Sequence, residues 1–533
     1  MICLCLTAPT LKENEALLQH YRLHIGIFEL RADRLNEDER PYIAAWVSKM
    51  ARLHDIRGIL TVRLSEDGGA WTEGIHARNE FMDDLISEAS NAFRWVDLEA
   101  RHSLNTLAEH AREKGLKIIR SAHDFKGVLG HDQPERSGSE GVRNRGKRIA
   151  AYIRSLMHAE DDIPKYAAMC NSAADLSALF SACVTLRSDG KPFILLGMGN
   201  IGQPTRILAK KLGSLVCYAS AAPNVFQAEL AAPGQIDPET LNTLYGYEQI
   251  GPQTLVYGVV GNPVMHSKSP EFHNPRLRAS GLDATYLRFN VDDLSDFRVG
   301  AEILKMPGFS ITIPHKEDAR TWASERDEAV DQIGAANTLV RSGDHWRAAN
   351  TDAPGFWQPL AAALEKAGLK PADMTAIVVG AGGAARAVVW ALLDAGCAVI
   401  ITNRTASRAK DLASWFQAQD FNRISSVTMT SAGLAFMKAV APQDLLVINT
   451  TSVGMAQGKS EGKDALPDYA FRGGEWVYDI VYTPEWTPFL QRAKDSGCHC
   501  MNGSGMFELQ ASIQSEMFVK AGNELTKASF RLV

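Results

Sequence analysis

Short apolar runs alternate with stretches of helical spacing through the first 220 residues. The runs fall at 2–6 (ICLCL), 25–31, 58–63, 95–99, 117–121, 165–169, 193–197 and 215–219. Runs of this length, bounded by polar turns, predict buried strands, and the segments between them predict helices. Eight such strands predict a (β/α)8 barrel over 1–245, with its chemistry at the carboxyl ends of the strands. Residues 129–148 are polar and glycine-rich, which predicts an exposed loop with a basic tail. Residues 246–254 (GYEQIGPQT) predict a linker. Strand–helix alternation then resumes at 255–261, 285–290, 308–313 and 337–341, and again from 374, with further strands at 444–449 and 475–480. The second half therefore predicts two subdomains, an α/β substrate domain over 255–355 and a dinucleotide-type α/β domain over 356–504. A closing helix at about 505–522, within the segment 505–533, is expected to pack back on the substrate domain.

Composition narrows the class. At 533 residues the chain exceeds what one core supports, so several domains are expected. A net charge of −6 argues against nucleic acid or a membrane surface as the main partner. No apolar run reaches the roughly 20 residues that span a bilayer. MICLCLTAPT lacks a basic start and a long apolar run, so no signal peptide is expected. Eight cysteines in this length are no secreted disulfide framework, and the expected location is the cytoplasm. Cys3/Cys5 and Cys498/Cys500 are expected to be buried thiols on strand faces. Cys498-His499-Cys500 lacks a second ligand pair nearby, so no metal is expected.

The most informative stretch is 376–405, AIVVGAGGAARAVVWALLDAGCAVIITNRT. An apolar strand ends in Gly380, Gly382, Gly383 and Ala384, and an alanine-rich helix and a second strand follow. Glycines at a strand-to-helix turn let backbone N–H groups and the helix dipole approach a pyrophosphate. A site selecting NAD normally places an acid about 20 residues on, at the ribose hydroxyl. Here that region carries Asn403 and Arg404. A cation there suits a 2′-phosphate, so NADP(H) is the expected cofactor.

The first half carries polar groups at its predicted strand ends: Glu29, Arg31, Arg63, Asp97, Glu99, His123 and Lys165. Arg31, Arg63 and Arg206 suit an anionic, hydroxyl-rich substrate. A lysine on an apolar strand can lose its proton on burial and attack a carbonyl to form a Schiff base, with a histidine as acid and base. Equally, Lys165 could simply pair with Glu29 or Glu99 in a structural network. ELRAD, TVR, VDLE, SAHDF, DIPK and AAPGQ, in this order, resemble the type I 3-dehydroquinate dehydratases. That resemblance implies that Lys165 forms an imine with 3-dehydroquinate and that His123 moves the protons. It also implies that Glu29, Arg31, Arg63, Asp67, Arg206 and Gln235 hold the substrate. Two positions depart from the family pattern. Asp67 stands where the R-x-x-x-E-G-G motif has glutamate, and Ala231 stands where the family has serine.

In the second half, Ser267 and Ser269 flank Lys268 in a loop that can grip a carboxylate or cap a helix. NPVMHSKSPEFHN, ITIPHK, GAANT, NTD, GAGGAARA, NRT and NTTSVGM resemble the shikimate dehydrogenases in order. The resemblance implies Lys316 and Asp352 as the catalytic pair, and Ser267, Ser269, Thr312, Asn337 and Gln510 as substrate-binding residues. It places NADP on Gly380, Gly382, Gly383, Ala384, Asn403, Arg404, Thr405 and Arg408, with Thr450, Ser452 and Met455 beside the nicotinamide. Ser310 stands where the family often has asparagine. Together the halves imply consecutive steps of aromatic amino-acid biosynthesis, 3-dehydroquinate to 3-dehydroshikimate and then NADPH reduction to shikimate. The alternatives are a quinate/shikimate dual-specificity enzyme and an impaired homologue that senses metabolites.

Overall fold

The computed structural model describes every residue except 103, 130–137, 224, 226–230, 431, 432, 434–443, 457 and 531–533. Contacts divide the chain into two units, Met1–Val256 with Asp283–Met306, and Tyr257–Leu282 with Pro307–Val533.

The first unit holds eight strands: β1 (Ile2–Leu6), β2 (Ile27–Arg31), β3 (Gly58–Thr61), β4 (Phe93–Glu99), β5 (Lys117–Asp124), β6 (Ile163–Met169), β7 (Ile194–Met198) and β8 (Cys217–Ala219). They form one parallel sheet in the order β7-β6-β5-β4-β3-β2-β1-β8. The barrel nearly closes between β7 and β8 through a single bridge, Phe193 to Ser214, beside which the Leu195 N–H donates to Ser214 Oγ at 3.1 Å. Helices cover the outside, so both strand faces are buried and the strands read as continuous apolar runs. Successive side chains alternate between the barrel interior and the helix layer. Cys3, Ile27, Ile59, Trp95, Ile119, Ile163 and Ile194 share one apolar cluster inside the barrel. Two residues further along several of the same strands, the inward positions become Glu29, Thr61, Asp97, Ser121 and Lys165. An apolar floor thus supports a polar layer nearer the carboxyl ends.

The loop expected at 129–148 is helical from Gly138 onward, in the helix Gly138–Ser155, while residues 130–137 lie outside the described residues. The polar sequence conceals a buried stripe of Val142, Arg145, Gly146, Ile149 and Ile153. Arg145 pairs with Asp175 and donates to the carbonyls of Leu129 (3.0 Å) and Val128 (3.3 Å). An arginine paired in this way is indistinguishable in sequence from a solvated one. Strand β10 (Ala284–Asn290) and helix Leu294–Ile303 also group with the first unit. Ser177 Oγ donates to the Asp296 carbonyl at 2.9 Å, and the Ala173 N–H donates to Asp292 Oδ1 at 2.8 Å.

In the second unit, β9 (Leu255–Gly261), β11 (Gly308–Ile311), β12 (Glu325–Arg326), β13 (Thr338–Ser342) and β14 (His345–Ala349) follow the order β9-β11-β13-β14-β12. Strand β14 was not expected, because HWRAA mixes polar and small residues. A third sheet is wholly parallel: β15 (Thr375–Val379), β16 (Ala398–Asn403), β17 (Ile424–Thr428), β18 (Leu445–Asn449), β19 (Trp476–Asp479) and β20 (His499–Met501), in the order β17-β16-β15-β18-β19-β20. The chain order reverses between β15 and β18, and ligands of open α/β sheets bind in the crevice outside the strands there. Edge strands β17 and β20 add to the sequence reading. Cys498, just before β20, and Cys500, on it, are half-buried rather than buried, since an edge strand is covered incompletely. The closing helix runs from Ser504 to Phe530, longer than expected. It packs on the substrate side of the unit, where Tyr257 Oη donates to the Phe518 carbonyl at 2.9 Å. Among the described residues, no helix is long and apolar enough to cross a membrane.

Candidate active sites

At the carboxyl ends of the barrel strands, one cavity is lined by Glu29, Arg31, Arg63, His123, Lys165, Arg206 and Gln235. Strand alternation delivers them. Glu29 and Arg31 are two apart on β2, and Lys165 is the inward residue of IPKYAAM. Lys165 Nζ lies 2.7 Å from Asp97 Oδ2, 3.8 Å from Glu29 Oε1, and 4.0 Å from the centre of the Tyr218 ring. The partner that dominates is therefore Asp97, which the sequence reading noted on its strand but gave no role. Glu99 turns instead to Arg78 at 2.6 Å. Asp97 also faces Arg63 Nη2 at 3.3 Å and accepts from Ser121 Oγ at 2.5 Å. Burial opposes its ionisation, but Lys165 and Arg63 outweigh burial and hold the carboxyl well below the usual range.

His123 Nδ1 stands 2.9 Å from Arg63 Nη1. Arginine only donates, so Nδ1 accepts and the proton sits on Nε2. Burial first, then Arg63 and Lys165, hold this imidazole well below its ordinary pKa, so it is neutral and able to take a proton. Arg31 is clamped by Asp33 through two bonds of 2.9 and 2.8 Å. Arg206 donates to the Tyr218 carbonyl at 3.2 Å, while its buried Nε has no partner among the described residues. Gln235 Nε2 donates to Cys5 Sγ at 3.4 Å. Ala231 lines the cavity. Asp67 carries its carboxylate to Arg101 Nε (2.8 Å) and His102 Nε2 (3.1 Å).

Asp97→Ala leaves Lys165 and Arg63 buried without their shared partner. The expected cost is about 3–5 kcal/mol, read from urea unfolding of the barrel. The ionised carboxylate stabilises the fold above its unfolded pKa near ~3.9. That contribution disappears as pH falls through the lower folded value.

In the second unit, Lys316 opens the helix Lys316–Trp322 just after β11, and Asp352 opens the helix Asp352–Lys366 just after β14. Their Nζ and Oδ2 are 2.6 Å apart. Asn337 Nδ2 donates to Asp352 Oδ1 at 2.9 Å and reaches Gln510 Oε1 at 3.4 Å. Thr351, which the sequence reading did not single out, donates to Gln510 Oε1 at 3.3 Å and, through its N–H, to Asn337 Oδ1 at 2.8 Å. Its place in the NTD triplet was the available signal. Gln510 comes from the closing helix, some 160 residues away in the chain. Ser267 Oγ donates to Ser269 Oγ at 3.0 Å, and Ser269 starts the helix Ser269–Ala279. The Thr312 N–H donates to the Val260 carbonyl at 2.9 Å, which ties β11 to β9.

Gly380 follows β15 with φ +119, a conformation that L side chains rarely adopt, and a Cβ there would lie 2.4 Å from Thr450 Oγ1. Gly382 precedes the helix Gly383–Asp394, and a Cβ on it would meet nothing within 4 Å, so the loop is open toward the crevice. A Cβ on Gly383 would lie 2.8 Å from Lys316 Cβ, which puts the glycine turn against the Lys316 side chain. Ala384 follows in the first turn of that helix. Asn403 ends β16 and donates to the Thr405 carbonyl at 2.9 Å, while Arg404, Thr405 and Arg408 are exposed there. Thr450 follows β18, with Ser452 and Met455 on the same turn. An open glycine, Gly382, at a helix N-terminus, with two exposed cations at the end of the next strand, fits a dinucleotide with a 2′-phosphate.

The type I 3-dehydroquinase family model matches residues 2–252. The shikimate dehydrogenase substrate binding domain matches 259–339, and the shikimate/quinate 5-dehydrogenase model matches 362–467. The chloroplastic bifunctional 3-dehydroquinate dehydratase/shikimate dehydrogenase of Arabidopsis thaliana is 30% identical over 497 residues, covering 89% of this chain and 76% of that protein. A shikimate dehydrogenase (NADP(+)) of Moorella thermoacetica is 38% identical over 267 residues, covering 50% of this chain and 88% of that protein. A solved structure of dehydroquinate dehydratase and shikimate dehydrogenase from S. pombe AroM has 24% identity and a TM-score of 0.38, covering 98% of each chain. On these matches, and with both halves present in one chain, the protein belongs to the bifunctional 3-dehydroquinate dehydratase/shikimate dehydrogenase family.

Proposed function

We propose that the barrel cavity dehydrates 3-dehydroquinate through Lys165 and His123, and that the Lys316–Asp352 pair serves the reduction to shikimate. The observation that carries the first half is Lys165 Nζ on Asp97, in one cavity with a neutral His123. Lys165 gives up a proton, and its amine attacks the C3 carbonyl. Loss of water leaves an imine that acidifies C2. His123 takes the C2 proton and returns it to the departing C1 hydroxyl, so that water leaves. Hydrolysis then releases 3-dehydroshikimate and restores Lys165. Arg206 Nε, buried and without a partner among the described residues, suits the substrate carboxylate.

In the dehydrogenase half, NADP(H) supplies the hydride. Lys316 gives a proton to the carbonyl oxygen under reduction, and Asp352 holds and replenishes it. Ser267, Ser269, Thr312, Asn337 and Gln510 are the substrate's polar partners in this reading. Arg404 and Arg408 hold the 2′-phosphate. Arg404→Ala is expected to weaken NADPH binding roughly 10- to 100-fold and leave NADH nearly unchanged, as measured by quenching of protein fluorescence. Equal loss for both nucleotides would remove Arg404 from that role. A cytoplasmic setting fits the cysteines, all eight of which are free thiols. In this proposal the barrel spans 1–245, a linker 246–254, the substrate domain 255–355 with the closing helix, and the nucleotide domain 356–504.

The direct test supplies 3-dehydroquinate and NADPH to the purified protein and follows NADPH oxidation with shikimate formation. Matched loss and gain are expected. If only added 3-dehydroshikimate is reduced, the barrel site is impaired, and Asp67 and Ala231 are the residues to revert toward the family pattern.

A further inference from the structure

The cofactor crevice has two walls, the glycine turn after β15 and the turn after β18. The second wall is held by a buried carboxylate that neither reaction uses. Asp479, at the end of β19, is completely buried. Its Oδ1 accepts from Asn449 Nδ2 at 2.9 Å and from the Val481 N–H at 3.0 Å, and its Oδ2 accepts from Thr487 Oγ1 at 2.7 Å. Asn449, equally buried at the end of β18, is thereby oriented with its amide nitrogen toward Asp479. Its Oδ1 is left to accept from the Thr451 N–H at 3.0 Å and Thr451 Oγ1 at 2.7 Å. Thr451 Oγ1 in turn accepts from the Val453 N–H at 3.2 Å. The turn so shaped seats Thr450, whose N–H and hydroxyl both reach the Val379 carbonyl, at 2.9 and 2.8 Å, directly beside Gly380.

We propose that Asp479 is a positioning residue for hydride transfer, which through the Asn449 amide sets the turn Asn449–Val453 against the nucleotide loop. The proposal rests on the reading of this crevice as the NADPH site, with Thr450 and Ser452 on the nicotinamide side. An ionised carboxylate only accepts, so it dictates which end of the Asn449 amide faces it. A protonated Asp479 presents a donor, and a turned amide would set its NH2 against the Thr451 N–H. The groups acting on Asp479 are three neutral donors and one charge, the carboxylate of Asp464, which is itself held by Arg492 at 2.8 Å. Burial, opposed by the three donors and assisted by Asp464, pushes the Asp479 carboxyl up to about 6. The switch from acceptor to donor therefore falls in mildly acid solution. Because the folded pKa is raised, protonation of Asp479 favours the fold below the unfolded carboxyl pKa, and that gain is lost as pH rises through about 6. Acid thus loosens the turn without unfolding the unit.

The test compares wild type, Asp479→Ala and Asp479→Asn in NADPH-dependent reduction of 3-dehydroshikimate from pH 5 to 8, with dehydratase turnover in the same chain as the control for folding. Asp479→Ala is expected to raise the KM for NADPH about tenfold or more, with dehydratase turnover unchanged. Wild-type kcat/KM for NADPH is expected to fall as pH drops through about 6. In Asp479→Asn, whose NH2 stands where the protonated carboxyl has its O–H and which cannot titrate, that fall disappears, and kcat/KM stays at the acid-limb level across the range. A wild-type KM in Asp479→Ala, or the same acid limb in Asp479→Asn, overturns the proposal. If the alanine variant fails to fold, the asparagine profile decides alone. Absence of any NADPH-dependent reduction by the wild type would instead overturn the reading of the crevice itself.

Discussion

Lys165→Ala is expected to lower dehydratase kcat on the order of 10^5-fold while leaving NADPH-dependent reduction of 3-dehydroshikimate intact. The loss is this large because the amine is a reactant. Without it no imine forms, C2 stays a weak acid beside an ordinary ketone, and His123 has no acidified proton to remove. Borohydride added with 3-dehydroquinate should fix a stable mass on the wild type and none on the variant, read by intact-protein mass spectrometry. Labelling of the variant at equal yield would assign the imine to another amine. The fold should tolerate the change better than it tolerates loss of Asp97, since Asp97 keeps Arg63 and Ser121 as partners.

Asp352→Asn carries the second large effect, on the other reaction. The amide keeps the shape and can still accept from Asn337, but it cannot pair with the Lys316 ammonium at 2.6 Å or hold its proton. A drop of about 10²- to 10⁴-fold in kcat for reduction is expected, the usual range for losing a positioned acid–base group. NADPH affinity and dehydratase turnover should stay near wild type. If KM for NADPH rose instead while kcat held, Asp352 would be a binding residue and the proton path would lie elsewhere.

Much of this was legible in the chain. Parallel strands buried on both faces read as apolar runs, so ICLCL and LLVIN announce themselves. Glu29, Lys165 and His123 stand out because charge and imidazole inside such strands are costly unless used. The glycine turn was legible because few side chains fit φ +119. The helix at Gly138–Ser155 was not, because Arg145 and Gly146 read as surface residues until Asp175 and Ser181 lie against them. Edge strands β17 and β20 escaped for the complementary reason. Half-covered strands lack the apolar run that marks central ones.

By itself the sequence determined the repeat of strand and helix, the identities of the reactive side chains, and the cations that suit NADP(H). These depend on local periodicity, on residue chemistry and on short motifs. Only the tertiary structure decided which charges meet. It gave Lys165 to Asp97 rather than Glu99, sent Glu99 to Arg78 and Asp67 to Arg101, and brought Gln510 to Asn337 across about 170 residues. It also placed Asp479 under the turn that Asn449 shapes. The physical reason is that pairing energies in a desolvated interior depend on distances of a few ångströms between strands far apart in the chain, which no local pattern encodes.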